Sequence, residues 1–121
     1  MILAVDNNVG AEEAAAFPII ARILRTVPDE NAFYFYKKIG YYLDVRARNL
    51  GEFLEKLSTI DIVSIQFHAE RGDFENWFLT TLGDATLARQ AYSCRTKQGE
   101  NLRNSLISFA GARLARLQKF Q

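Results

Sequence analysis

The clearest periodic signal in the chain is Leu50, Phe53, Leu54 and Leu57, spaced i, i+3, i+4, i+7. That spacing places all four on one face of a helix. Asn49, with Glu52 three residues later, forms a capping box ahead of it. Asp61 caps the next segment, Ile62 to Glu70. Here Val63, Ile65 and Phe67 alternate like a strand, whereas Ile62, Ile65 and Ala69 fit a helix. Helix is the assignment, because Gly72 and Asp73 then form a stop and a restart. Asp73 is expected to cap a following helix whose inner face is Phe74, Trp77, Phe78 and Leu82, ending at Gly83. Asp84 opens a short helix with Leu87, Ala88 and Ala91 inward. After a polar connection at 93–99, a last helix starts near Glu100, with Leu102, Leu106, Phe109, Ala110 and Leu117 on its stripe. Gly111 is a point where it can bend.

The N-terminal part is less regular. Residues 1–10 read as an extended or frayed lead, followed from Ala11 by an alanine- and glutamate-rich helical stretch. Pro18 inside it predicts a kink or two consecutive short helices, the second burying Ile19, Ile20, Ile23 and Leu24. Pro28 to Asn31 is a turn. The aromatic runs Phe33 to Tyr36 and Tyr41 to Leu43, joined through Lys37, Lys38, Ile39 and Gly40, read as a small β-hairpin over about 33–45. A helical reading of that stretch stays open. The fold class expected is mainly α: one domain over 1–121, a bundle of short helices with that hairpin packed on it. Within it, 1–32 is an N-terminal helical segment and 33–117 the core module.

Composition narrows the class. With 121 residues, roughly two thirds of the unfolded surface can be buried. A hydrophobic content of 49% with a net charge of +1 fits an ordinary globular chain and excludes a disordered one. No apolar run approaches the roughly 20 residues that span a bilayer, so no membrane is expected. The apolar start carries Asp6 and no basic segment, a poor signal peptide. Cys94 stands alone, which suits a reducing cytoplasm.

Charge is unevenly spread. From Arg89 onward, seven basic residues face the single acid Glu100. Arg89, Arg95, Lys97, Arg103, Arg113 and Arg116 form the candidate basic surface for phosphate or an acidic partner. The plainer reading is a solvated helix side. Arg113 falls inside the apolar stripe. Either Gly111 shifts the phase and Arg113 reaches solvent, or it enters the core edge and pairs with an acid, for which the cluster Glu70, Asp73 and Glu75 is the natural partner. Tyr34, Tyr36, Tyr41 and Tyr42 with Lys37 and Lys38 suit stacking on single-stranded nucleic acid, but more commonly such aromatics cover a core or meet a partner.

The candidate site is the run around Gly72: His68, Glu70, Arg71, Asp73, Glu75 and Trp77. It holds the only histidine and the only tryptophan. His68 and Arg71 share a helical face, Glu70 and Glu75 flank the corner as expected ion-pair partners for Arg71, and the Trp77 indole needs an acceptor if buried. As a structural corner, this is a cap, an aromatic anchor and an ion contact. As an active site, it needs His68 oriented by Asp73 or Glu70 against a nucleophile. None stands beside it; Ser64, four residues earlier, matches no known catalytic spacing. One His, one distant Cys and scattered acids give no metal-ligand set, no Gly-rich phosphate loop is present, and no cofactor is implied. The Arg71-Gly72-Asp73 tripeptide is explained by the corner, not by adhesion.

The order of short motifs resembles a small uncharacterised prokaryotic family, frequent in archaea. Its mark is Phe67-His68, Arg71 to Phe74, Trp77, Leu82-Gly83-Asp84 and Leu87-Ala88, and the match covers about residues 33–117. The resemblance implies a compact, mostly helical module found alone or beside other domains, including sugar-transfer enzymes. It carries no catalytic residue or ligand. The function expected is a non-catalytic accessory or protein-interaction module that self-associates. The alternative is nucleic-acid or phosphate-ligand binding through the basic C-terminal third. An enzyme using His68 comes third.

Overall fold

A computed structural model describes residues 11–121, with side chains described from Ala16 onward. The expected lead over 1–10 lies outside the described residues. Helix α1 (Ala11–Leu24) carries Pro18 inside it and runs as one helix, not two. Ile20 and Ile23 pack on Leu117 of the last helix, with Leu24 and Phe120 partly buried beside them. Ile19 is exposed, so the inner face is narrower than its apolar residues suggested. Of the four residues expected inward, the separate apolar cluster takes in Ile20, Ile23 and, partly buried, Leu24, and leaves Ile19 out.

A 3₁₀ turn at Asp29–Asn31 leads into strands β1 (Phe33–Lys38) and β2 (Tyr41–Ala47), an antiparallel pair. The hairpin reading therefore holds, and it extends two residues past the expected end at 45. Alternation decides its faces: Phe33 and Phe35 are buried, while Tyr34 and Tyr36 are half-buried on the other side. Pairing passes from Tyr34↔Arg46 to Tyr36↔Tyr42, so β2 bulges there, and Asp44 takes up the irregularity with φ 61°.

Helix α2 (Leu50–Leu57) begins as expected: the Glu52 amide donates to Asn49 Oδ1 at 2.8 Å. The return bond reaches one residue further than a capping box, from the Arg48 amide to Glu52 Oε1 at 2.9 Å. Helix α3 (Ile62–Arg71) is capped by Asp61, which accepts from the Val63 amide at 2.9 Å. Its buried face is Ser64, Ile65, His68 and Ala69, with Val63 exposed, so the helical period wins over the alternation.

Beyond Gly72, α4 (Asp73–Asn76) continues directly into a π-helical segment, Trp77–Leu82. The i→i+5 spacing of a π turn brings Trp77 and Leu82 to the same side, and both are buried. Asp84 caps α5 (Ala85–Cys94), accepting from the Leu87 amide at 3.1 Å. Helix α6 (Gly99–Gln118) lies along α2, α3 and α5 and closes the core with Leu102, Leu106 and Ala110.

The fold is mainly α with one two-stranded hairpin. A lone hairpin is marginal in water, and Phe33 is what fastens this one. Its ring centroid lies 4.9 Å from Phe35, 5.2 Å from Phe74 and 5.7 Å from both Phe53 and Trp77. Burying each such side chain contributes about 1.5–3 kcal/mol. Among the described residues, no helix is long and apolar enough to cross a membrane.

Candidate functional site

Helix α3 ends at Gly72, whose φ of 75° is the left-handed turn that lets the chain restart at once. That corner brings three of the expected polar residues together. His68 Nδ1 lies 2.8 Å from Asp73 Oδ2, and Arg71 Nε donates to the same oxygen at 3.0 Å. On the opposite side of the ring, the Tyr36 amide of β1 donates to His68 Nε2 at 2.8 Å. Nε2 is therefore an acceptor, which places the proton on Nδ1 and leaves the imidazole neutral.

His68 is 4% exposed and walled by Phe33, Phe67 and Phe74, with ring centroids at 4.8, 5.0 and 5.8 Å. Burial pushes the imidazole below its usual range, outweighing the hydrogen bond and charge of Asp73. Both nitrogens are spent on structure. A proton-transfer role would require breaking one of these bonds.

Asp73 is not the expected cap. Gly72 holds the cap position of α4 and Asp73 is its first residue. Its carboxylate turns to His68 and Arg71, because two polar hydrogens already face it there. Negative charge in the first helical turn is still favourable. Arg71 pairs with Asp73 and lies 5.2 Å over the Phe67 ring, so the expected pairing with Glu70 or Glu75 does not form. Glu70 is exposed beside Arg95 and Lys97, and Glu75 packs over Gly72. Trp77 finds its acceptor far along the chain: the indole N–H donates to the Asn31 carbonyl at 2.9 Å.

A groove of about 270 Å³ runs between the hairpin and α3, walled by Tyr34, Tyr36, Ile39 and Phe67. His68, Arg71 and Asp73 border it, but the buried imidazole presents no unbonded nitrogen to it. Ser64 is buried, and its Oγ has no hydrogen-bond partner among the described residues.

The basic residues do not assemble into one surface. Arg113 donates to Asp84 at 2.8 and 3.1 Å, not to the Glu70, Asp73 and Glu75 cluster. Asp84 is 1% exposed in its side chain and Arg113 is 19% exposed, so this is the most buried ion pair of the described residues. Sequence reasoning saw Asp84 only as a helix cap; the signal was a guanidinium placed in an apolar stripe. Arg103 binds Glu100 at 2.8 Å and the Leu57 carbonyl at the end of α2 at 2.6 Å. There its charge also suits the negative end of the helix dipole. Arg95 stacks on Tyr92 at 3.6 Å, and Lys97 donates to Ser105 at 2.9 Å. Arg89 and Arg116 are exposed.

The tyrosines largely meet one another. Tyr42 packs against Tyr34 and Tyr36 at 5.6 and 5.4 Å, and the Tyr34 hydroxyl donates to the Asp29 carbonyl at 2.6 Å. Lys37 pairs with Asp61 at 3.4 Å. Among the described residues, no three His, Cys, Asp or Glu side chains converge in a way that could hold a metal ion. Cys94 is buried, and that burial pushes its thiol above the usual range. Compared with protein-family models, curated proteins and solved structures, the chain matches none.

Proposed function

We propose that this protein is a non-catalytic accessory module that acts through protein–protein contacts and associates with a second copy of itself. The observation that carries the non-catalytic part is His68. Its two ring nitrogens are committed to Asp73 and to the Tyr36 amide, and its ring is enclosed by phenylalanines. A general base needs a nitrogen within reach of the proton it takes. The polar corner instead fastens α3, α4 and β1.

Exposed large apolar side chains support the interaction part, among them Leu79 and Tyr92 facing one hollow. The phosphate-binding reading is weakened, since Arg103 and Arg113 are bonded within the fold. We assign the protein to the cytoplasm, on the lone buried thiol of Cys94. Membership of the prokaryotic family with the Phe-His, Arg-Gly-Asp-Phe, Trp, Leu-Gly-Asp order is part of the same proposal, supported by those motifs in sequence.

Sedimentation equilibrium of the full chain tests the reading. The expected result is a mass that rises to two chains with concentration over about the micromolar to millimolar range. A single-chain mass throughout would overturn self-association.

A further inference from the structure

Helices α4 and α5, with the π segment between them, border a shallow, open apolar hollow of about 490 Å³ on the surface. Leu79 on one bank is 51% exposed and Tyr92 on the other is 53% exposed. The small side chains of Ala85 and Ala88 line the same hollow. Tyr92 is held in place: the Arg95 guanidinium stacks on its ring at 3.6 Å and donates to its carbonyl at 2.8 Å. A fixed tyrosine beside an arginine is the kind of anchor on which association energy concentrates.

The same hollow carries Glu75 and Arg89. Neither makes an ion pair or side-chain hydrogen bond among the described residues. Opposite charges on one patch match a copy of the patch turned about a two-fold axis, because such an interface sets residue i against j and j against i.

We infer that this face is the self-association surface, with Leu79 and Tyr92 of each copy entering the hollow of the other, and Glu75 meeting Arg89 across the axis. The inference rests on the self-association reading and adds its location. An unrelated partner would need no such charge self-complementarity.

Sedimentation equilibrium of the full-chain variants decides it, with circular dichroism to verify folding. Leu79→Glu lies on an exposed position and is expected to weaken dimerisation at least about ten-fold, as is Tyr92→Glu. Glu75→Arg and Arg89→Glu should each weaken it, and the double reversal should restore it. If the apolar variants dimerise like the parent chain, the surface is wrong while self-association stands. If the charge effects are additive with no restoration, the two-fold pairing is overturned. A monomeric parent chain would instead sink the functional reading on which this rests.

Discussion

The amide of Tyr36 in β1 donates to Nε2 of His68 in α3 at 2.8 Å, so one side chain ties the hairpin to the helical corner. This bond exists only while Nε2 is unprotonated. The folded His68 titrates below its ordinary value, chiefly through burial. The unfolded imidazole titrates at about 6.5. Between these two values the unfolded chain binds more protons, so stability rises with pH there. The contribution is fully present above about pH 6.5 and is lost as pH falls toward the lowered folded value. Urea denaturation between pH 7.5 and 5 checks this. His68→Gln, which does not titrate, should flatten that slope, and an unchanged slope in the variant would refute the assignment. The lowered carboxyls of Glu52 and Asp61 act in a separate, more acid window.

Asp84→Asn isolates the charge of the buried pair. Asparagine keeps a side-chain oxygen for the Leu87 amide, while Arg113 loses its anion. Leaving one partner of a buried pair alone costs about 3 kcal/mol. The double variant Asp84→Asn with Arg113→Met should recover much of that loss in chemical denaturation. Additive losses, with the double variant losing as much as Asp84→Asn and Arg113→Met together, would show that the pair does not couple.

Gly83 has φ 82°, and a Cβ there would sit 2.8 Å from Arg22 Nη1. Gly83→Ala should cost about 1–2 kcal/mol from backbone conformation alone, with a further loss from displacing Arg22. Combining it with Arg22→Ala should leave only the backbone part. Thermal melting of the three variants separates the two contributions.

Trp77→Phe keeps an aromatic ring in the core but removes the donor to the Asn31 carbonyl. A loss of about 1–3 kcal/mol is expected, from the lost hydrogen bond and lost packing. Because the chain has one tryptophan, the parent's fluorescence reports that site directly. A blue-shifted native spectrum that moves red on unfolding, in step with circular dichroism, is the expected signature.

The sequence by itself determined the elements whose chemistry is local. The Leu50 to Leu57 stripe, the caps Asn49, Asp61 and Asp84, and the Gly72 corner depend on neighbours within a turn or two. Side chains three or four residues apart necessarily share a helical face. Tertiary structure decided what distant groups chose between. Phe33 to Tyr36 suited strand or helix, and the aromatic hub around Phe33 selected the strand. Asp73 suited a cap, but His68 and Arg71 drew its carboxylate away. Arg113 found Asp84, 29 residues away, and His68 found Tyr36, 32 residues away, because a buried polar group must take whatever partner the packing brings. Periodicity along a chain carries no information about such meetings; they arise only when the elements close on one another.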